Sequence, residues 1–139
     1  MPTPHRGNMA FTGKIIGKLA LVVDDQKSVR QVLSRILKNS KLEVVEAASG
    51  MEAVLAISNH AFDIIFMDLN MPEISGEDSM KTIIDMHPNA KIIVYSAFED
   101  PSAKERLEQL GVAAILEKPA SSFDIIETVK RVIGGAEKT

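Results

Sequence analysis

The chain has 139 residues, enough for one domain and too few for two, since domains typically contain roughly 100–150 residues. Apolar residues make up 45% and charged residues 25% of the sequence, which predicts a folded chain rather than a disordered one. The formal net charge of −3 provides no general attraction for nucleic acid or anionic lipid, and the lack of cysteine excludes disulfides, thiolate zinc sites and cysteine nucleophiles.

The two ends of the chain do not look like parts of a folded domain. Residues 1–13 contain two prolines and two glycines and show no apolar periodicity, which indicates a disordered tail or a cloning remnant. We expect the domain to span residues 14–135 and residues 136–139 to form a short C-terminal tail. No apolar stretch approaches the ~18 residues of a membrane span, so we expect no transmembrane helix.

From Leu19 onward, short apolar segments alternate with longer segments of helical periodicity. In the helical segments, apolar residues recur at i, i+3, i+4 and i+7, which places them on one face of a helix. The pattern predicts five strand and helix pairs, at residues 19–23 and 26–39, 42–46 and 51–59, 64–67 and 77–86, 92–95 and 103–110, and 112–116 and 123–133.

The strand segments predict a parallel sheet with helices on both faces. Segments 19–23 and 64–67 are apolar throughout, which is typical of central strands, whereas the mixed segment 42–46 suggests an edge strand. Strict alternation of strand and helix favours right-handed crossovers, and five units are too few for an eight-stranded barrel. We therefore predict a three-layer, doubly wound α/β fold. The fourth helix has few well-placed apolar residues, so we expect it to be loosely anchored.

Polar residues gather at the carboxyl ends of the predicted strands. Asp24 and Asp25 end the first strand, Asp68 ends the third, Ser96 ends the fourth, and Lys118 follows the fifth. Ligands of open parallel sheets bind beyond these ends, so we expect the five residues to share one site. Three carboxylates and one ammonium sum to a charge of −2, which a divalent cation would neutralise. Mg²⁺ is commonly held by carboxylates together with phosphate oxygens, so the pattern indicates phosphoryl chemistry with Mg²⁺.

Each of these residues also has an explanation that involves no function. Asp24 and Asp25 would cap the following helix and interact favourably with its dipole, and Asp68 would form an Asx turn. Ser96 and Lys118 would be ordinary surface loop residues. Their joint placement at equivalent strand ends favours a shared site over these separate explanations.

Four segments carry a resemblance to a known family. They are residues 21–25 (LVVDD), 68–76 (DLNMPEISG), 95–97 (YSA) and 117–119 (EKP). In order and spacing they resemble the acidic pair, phosphoacceptor loop, hydroxyl switch and lysine–proline turn of the receiver domain of two-component response regulators. The resemblance covers residues 18–134 and implies a flavodoxin-like fold with strand order 2-1-3-4-5. It also implies a cis peptide bond within the lysine–proline turn.

The resemblance implies a role for each residue of the site. Asp68 would accept a phosphoryl group from a phosphohistidine on a histidine kinase or a histidine phosphotransfer protein. Asp68 and Asp25 would ligate Mg²⁺ directly, Asp24 through water, and Asn70 through its backbone carbonyl, with Mn²⁺ as a substitute metal. Lys118 would neutralise developing charge, because phosphoryl transfer depends mainly on positioning and charge neutralisation.

The resemblance further implies a switch. The Ser96 hydroxyl would turn toward the phosphoryl group, and the resulting loop movement would alter the surface of the fourth helix, fifth strand and fifth helix. The family commonly has Tyr or Phe three residues before the lysine, whereas this chain has Ile115. Ile115 has no ring to rotate, so we expect it to keep its orientation and the coupling to run through Ser96, Phe98 and the start of the fourth helix.

Two other functional classes remain as alternatives. A Mg²⁺-dependent phosphohydrolase of the haloacid dehalogenase type also uses an aspartate nucleophile, but it favours Asp-x-Asp where this chain has Asp68-Leu69-Asn70. A phosphorylation-independent pseudo-receiver would be an interaction module without need of the intact acidic site.

The resemblance implies a cytoplasmic signalling protein rather than a metabolic enzyme, with an unidentified downstream target and no direct contact with nucleic acid. The residues after Ile133 are too few for an output domain, so the chain is either a stand-alone regulator or a piece of a larger protein. His5, His60 and His87 fall in predicted loops or helix ends, and we interpret them as surface residues.

Overall fold

The computed structural model describes residues 15–71, 75–98 and 100–134. Strands β1 to β5 of this part of the chain are Leu19–Val23, Glu43–Ala47, Ile64–Met67, Ile92–Ser96 and Ala114–Glu117. Helices α1 to α5 are Lys27–Asn39, Gly50–Asn59, Gly76–Met86, Ser102–Leu110 and Ser122–Ile133. The tails expected at residues 1–13 and 136–139 lie outside the described residues, as does His5.

The strands form one sheet in the order β2-β1-β3-β4-β5, and their pairings are parallel. The predicted doubly wound fold, its strand order and the edge position of β2 are therefore confirmed. In this topology β1 and β3 are neighbours, so their carboxyl ends, which carry the aspartates, lie side by side. None of the described helices is both long and apolar enough to cross a membrane.

Alternate residues of the central strands pack into two separate apolar clusters. Val22 and Phe66 face the cluster formed with α1 and α5, whereas Val23 and Met67 face the cluster formed with α2, α3 and α4. Every one of these four side chains is buried. The apolar character of both faces of β1 and β3 thus follows from their position between two helical layers.

Strand β5 begins later than the sequence predicts. The apolar pattern predicts an extended segment over residues 112–116, but β5 begins at Ala114. Gly111 follows α4 with a φ of 89°, and the Val112 amide donates to the Leu107 carbonyl at 3.4 Å. A left-handed residue with a backward hydrogen bond is a common way to end a helix, so Val112 belongs to the end of α4 rather than to β5.

Helix α4 is held by few apolar contacts, in agreement with its predicted loose anchoring. Of its nine residues, Ala103 and Leu107 are buried. A polar contact joins it to α3: Arg106 Nε lies 3.1 Å from Glu77 Oε2 and Arg106 Nη2 lies 3.2 Å from Glu77 Oε1. This bidentate ion pair ties the first turn of α3 to the middle of α4.

Ile115→Ala should lower the free energy of unfolding by about 2 kcal/mol, at the small end of the range for such truncations. Ile115 is half-buried and packs against the cluster that contains Leu107. Urea unfolding monitored by circular dichroism would measure the loss. Leu55→Ala is the control, because Leu55 is 59% exposed and its truncation should change stability by about 0.5 kcal/mol or less. Equal losses in the two variants would contradict a packing role for Ile115.

Candidate functional site

Three carboxylates meet at the carboxyl ends of β1 and β3. Oxygen atoms of Asp24, Asp25 and Asp68 all lie within 4.8 Å of one another. Asp24 and Asp68 are buried and Asp25 is exposed. The Asp24 amide donates to the Ala47 carbonyl and the Asp68 amide to the Val23 carbonyl, each at 3.1 Å. Main-chain hydrogen bonds that continue past the strands therefore fix the positions of the two buried aspartates.

Asp24 and Asp68 also shape the local backbone. Asp24 Oδ1 accepts a hydrogen bond from the Gln26 amide at 2.9 Å, and Asp68 Oδ1 accepts one from the Asn70 amide at 3.3 Å. Both are Asx-type contacts between residues i and i+2. The residue that caps α1 is Gln26, so the explanation of Asp24 and Asp25 as helix caps is wrong. The Asx turn at Asp68 exists, and it coexists with membership of the cluster.

Lys118 reaches into the cluster from the segment after β5. Its Nζ lies 2.7 Å from Asp24 Oδ2 and 3.5 Å from Asp68 Oδ2, and its peptide bond to Pro119 is cis, as expected. Burial alone would lower the Lys118 pKa, but the hydrogen bond to Asp24 and the charges of both aspartates outweigh it and raise the pKa above its ordinary value. Lys118 is therefore charged at neutral pH and balances one of the three carboxylates.

Ser96, the last residue of β4, forms the inner wall of the site. It is fully buried, and its hydroxyl donates to Asp68 Oδ1 at 2.7 Å. Its oxygen accepts from the Leu69 amide at 3.4 Å and from Asn70 Nδ2 at 3.3 Å. Asn70 Nδ2 also donates to the Ala97 carbonyl at 3.1 Å. These bonds join the loop after β3, which carries Asp68, to the loop after β4.

Two residues that contact the cluster's backbone, Arg30 and Gly76, are not among the predicted site residues. Arg30 on α1 donates from Nη1 to the Asp24 carbonyl at 2.7 Å and from Nε to Glu46 Oε1 at 3.1 Å. A Cβ atom on Gly76, the first residue of α3, would overlap the carbonyl oxygen of Asp68. No sequence pattern predicts that the Arg30 side chain extends back along the chain to the Asp24 carbonyl. The position of Gly76, a glycine in the quoted loop segment next to a predicted helix, is a visible but unspecific sign of close backbone approach.

The other predicted polar residues fall where the sequence places them or outside the described part of the chain. His60 and His87 are exposed, as expected. Asn70 is exposed in the loop after β3. Residues 72–74 of the quoted loop segment and residue 99 before α4 lie outside the described residues.

The donor set of the cluster suits a hard divalent cation. Three carboxylates against the single ammonium of Lys118 leave an excess of negative charge within a few ångströms. Mg²⁺ takes oxygen ligands and usually retains several waters. The exposure of Asp25 leaves that side of the cluster open to water and to a substrate oxygen.

Comparison with known proteins identifies the family. The sequence model of a protein family, the response regulator receiver domain, matches residues 20–130 of the chain. The chain belongs to the response regulator receiver family. The chemotaxis protein CheY of Thermotoga maritima is 36% identical to this receiver over 118 residues, which cover 84% of the receiver and 98% of that protein. The polar-differentiation response regulator DivK of Brucella ovis is 31% identical over 121 residues, with coverage of 86% and 98%.

A solved structure that contains Mg²⁺ has the same fold as this receiver. A chain in the crystal structure of the CheX–CheY–BeF3–Mg²⁺ complex from Borrelia burgdorferi matches the receiver with a TM-score of 0.80 and 27% identity, covering 84% of the receiver and 90% of that chain. Receiver domains bind Mg²⁺ at an aspartate cluster, and this receiver has such a cluster at Asp24, Asp25 and Asp68. It is a receiver of two-component signalling.

Proposed function

We propose that this receiver accepts a phosphoryl group on Asp68 from the phosphohistidine of a histidine kinase or a histidine phosphotransfer protein. The observation that carries the proposal is the buried Asp68 carboxylate, held by the Ser96 hydroxyl at 2.7 Å and faced by Lys118 at 3.5 Å. A carboxylate oxygen of Asp68 would form the new bond to phosphorus while the bond from phosphorus to the donor's imidazole nitrogen breaks. The imidazole leaves with that electron pair and then takes a proton.

The surroundings of Asp68 provide what such a transfer requires. The transition state is loose, with charge spread over the phosphoryl oxygens, so positioning and charge neutralisation dominate catalysis. The hydrogen bonds from Ser96 and the Asn70 amide orient the Asp68 carboxylate. The Lys118 ammonium lies within the site and would neutralise charge on a phosphoryl oxygen.

Mg²⁺ would be held by Asp25, Asp68 and the Asn70 backbone carbonyl, and it would neutralise charge on the phosphoryl oxygens. Both carboxylate oxygens of Asp24 already accept hydrogen bonds, one from the Gln26 amide and one from Lys118. Lys118 lies closer to Asp24 Oδ2, at 2.7 Å, than to Asp68 Oδ2, at 3.5 Å, which supports a contact of Asp24 with the cation through water and a direct one for Asp68. Mn²⁺ would substitute, because it also suits carboxylate, carbonyl and water ligands.

The phosphodonor would dock on a groove beside Lys118. Between α1 and the segment after β5 lies a cavity of about 400 Å³ with a largely apolar lining that includes Val29, Val32, Ala120 and Lys118. Val32 lines this cavity and is 58% exposed, so part of the apolar surface of α1 is open to a partner. Because Lys118 belongs to both the groove and the acidic cluster, a partner helix in the groove would bring its histidine to the mouth of the site.

Phosphorylation would act on the switch through Ser96. Its hydroxyl already faces Asp68, so the proposed step is a change of acceptor from the carboxylate to a phosphoryl oxygen. The loop after β4 would shift with Ser96 and carry Phe98, which packs against the cluster beneath α4. Because α4 has few apolar anchors, its surface together with β5 and α5 would change.

The structure also bears on where the domain begins and ends. Ile15 is fully buried in the cluster with α1 and α5, and α5 ends at Ile133. Both observations support a folded domain over residues 14–135.

The receiver should gain one phosphoryl group when incubated with acetyl phosphate and Mg²⁺, and none when Mg²⁺ is removed with EDTA. Asp68→Asn should abolish the gain, because the amide is a far poorer nucleophile than the carboxylate. Intact-mass spectrometry measures both results. Asp85→Asn, at an exposed position of α3, is the matched control and should be phosphorylated normally. A mass gain in Asp68→Asn would refute the assignment, and none in the wild type would favour the pseudo-receiver alternative.

A further inference from the structure

The turn between β1 and α1 carries two of the three carboxylates but belongs to neither element. Asp24 and Asp25 follow the last residue of β1, and α1 begins at Lys27. Repulsion among three carboxylates within 4.8 Å opposes this arrangement. Among the described residues, the Asp25 carboxylate has no hydrogen-bond partner. Its position therefore depends on the backbone of the turn.

Arg30 fixes this backbone from the side of α1. Its Nη1 donates to the Asp24 carbonyl at 2.7 Å, so it holds the peptide plane that links Asp24 to Asp25. The Arg30 side chain is only 14% exposed, and Glu46 at the end of β2 accepts from its Nε at 3.1 Å. One guanidinium thus bridges the turn and the neighbouring strand through two donors of fixed relative geometry.

We propose that Arg30 is a positioning residue for the divalent cation, and that Glu46 orients its guanidinium. The inference rests on the proposed function only in taking Asp25 as a direct ligand of the cation. Arg30 acts through the Asp24–Asp25 peptide and does not contact the cation. Partners that orient metal ligands typically account for 10- to 100-fold in metal affinity.

The direction in which Mg²⁺ affinity changes when Arg30 is replaced separates a positioning role from a simple effect of its charge. Arg30 places a positive charge beside the cluster, so its removal would strengthen cation binding if charge alone mattered. Loss of positioning would weaken binding instead. Arg30→Lys is the sharper variant, because it preserves the charge but offers a single nitrogen in place of the two donors that contact Asp24 and Glu46.

The test is a Mg²⁺ titration of the full chain followed by amide NMR. Arg30→Lys and Arg30→Gln should both weaken Mg²⁺ binding by about 10-fold, and Glu46→Gln by a smaller factor. In the metal-free protein, both Arg30 variants should shift the Asp25 and Gln26 amide signals. Arg35→Gln is the matched control: it removes the same charge from an exposed position of the same helix and should leave affinity and these signals unchanged.

Each result decides the inference. Unchanged affinity in Arg30→Lys, or tighter binding in Arg30→Gln, would overturn it. A fall in urea stability of the Arg30 variants without a change in Mg²⁺ affinity would show a purely structural role and would also overturn it. A wild-type receiver that binds Mg²⁺ but is not phosphorylated by acetyl phosphate would refute the proposed function and leave the Arg30 result standing on the titration alone.

Discussion

Gly76→Ala should destabilise the receiver by about 3 kcal/mol, which corresponds to a melting temperature lower by about 10 °C. A Cβ atom at this position would overlap the Asp68 carbonyl oxygen and would lie 2.8 Å from the Leu69 Cα atom. Both obstacles are backbone atoms, and the Gly76 amide donates to the Leu69 carbonyl at 3.2 Å. The clash therefore cannot be relieved by rotation of a side chain; α3 or the loop after β3 must move.

The control for this prediction is Gly111→Ala. Gly111 has a φ of 89°, and a methyl group at its Cβ position would have no neighbour within 4 Å, so alanine there meets backbone strain of about 1–2 kcal/mol but no clash. Urea unfolding compares the two variants. Gly76→Ala should also slow the reaction of Asp68 with acetyl phosphate, because displacement of the loop moves the carboxylate, whereas Gly111→Ala should not. A stability loss in Gly76→Ala no larger than that in Gly111→Ala would contradict the close approach.

Ser96→Ala should still allow phosphorylation of Asp68, though more slowly because one of the two hydrogen bonds that orient the carboxylate is lost, and should largely abolish the response of α4. The Ser96 hydroxyl contacts both Asp68 and the loop after β3, and it is the proposed connection between the phosphoryl group and α4. Amide NMR shifts with and without beryllofluoride, a mimic of the phosphoryl group, would report the response. Wild-type shifts should extend through α4, whereas those of Ser96→Ala should be confined to the neighbourhood of the site.

Three variants control for this result. Ser96→Thr retains a hydroxyl and should retain the α4 response. Ser58→Ala removes a hydroxyl that donates to the Val54 carbonyl within α2, away from the site, and should have no effect. Ile115→Ala should keep the response, since Ile115 has no rotating ring. Large α4 shifts in Ser96→Ala, or their loss in a folded Ile115→Ala, would show that the coupling takes another route.

The sequence predicts the acidic cluster well because the topology determines it. Residues at the carboxyl ends of parallel strands meet at one edge, and the alternation of strands and helices is enough to place Asp24, Asp68 and Ser96 there. The same rule places Lys118, which follows β5, at this edge of the sheet. These predictions need the order of the elements but no knowledge of side-chain direction.

The supporting contacts could not be predicted in the same way. Arg30 and Arg106 are helical residues whose side chains reach across to other elements, and periodicity shows only which face of a helix is apolar. The role of Gly76 depends on how closely α3 approaches the backbone of Asp68, which is a distance between elements. The predicted start of β5 is wrong because Val112 is apolar and yet closes α4 through a backbone hydrogen bond. In each case the deciding factor is the relative placement of two elements.

The ion pair between Arg106 and Glu77 gives the receiver a sensitivity to ionic strength. The Arg106 side chain is 48% exposed and that of Glu77 is 22% exposed, so dissolved ions have access to both charges. The Debye length falls from about 30 Å at 0.01 M to about 3 Å at 1 M salt, whereas the burial of Leu107 is unaffected by such screening. As the salt concentration rises, the ion pair between α4 and α3 therefore weakens, whereas the packing of Leu107 beneath α4 is retained. At a fixed level of phosphorylation, the fraction of molecules with a displaced α4 should thus rise with the ionic strength of the surrounding solution and should not respond to an uncharged osmolyte such as sucrose.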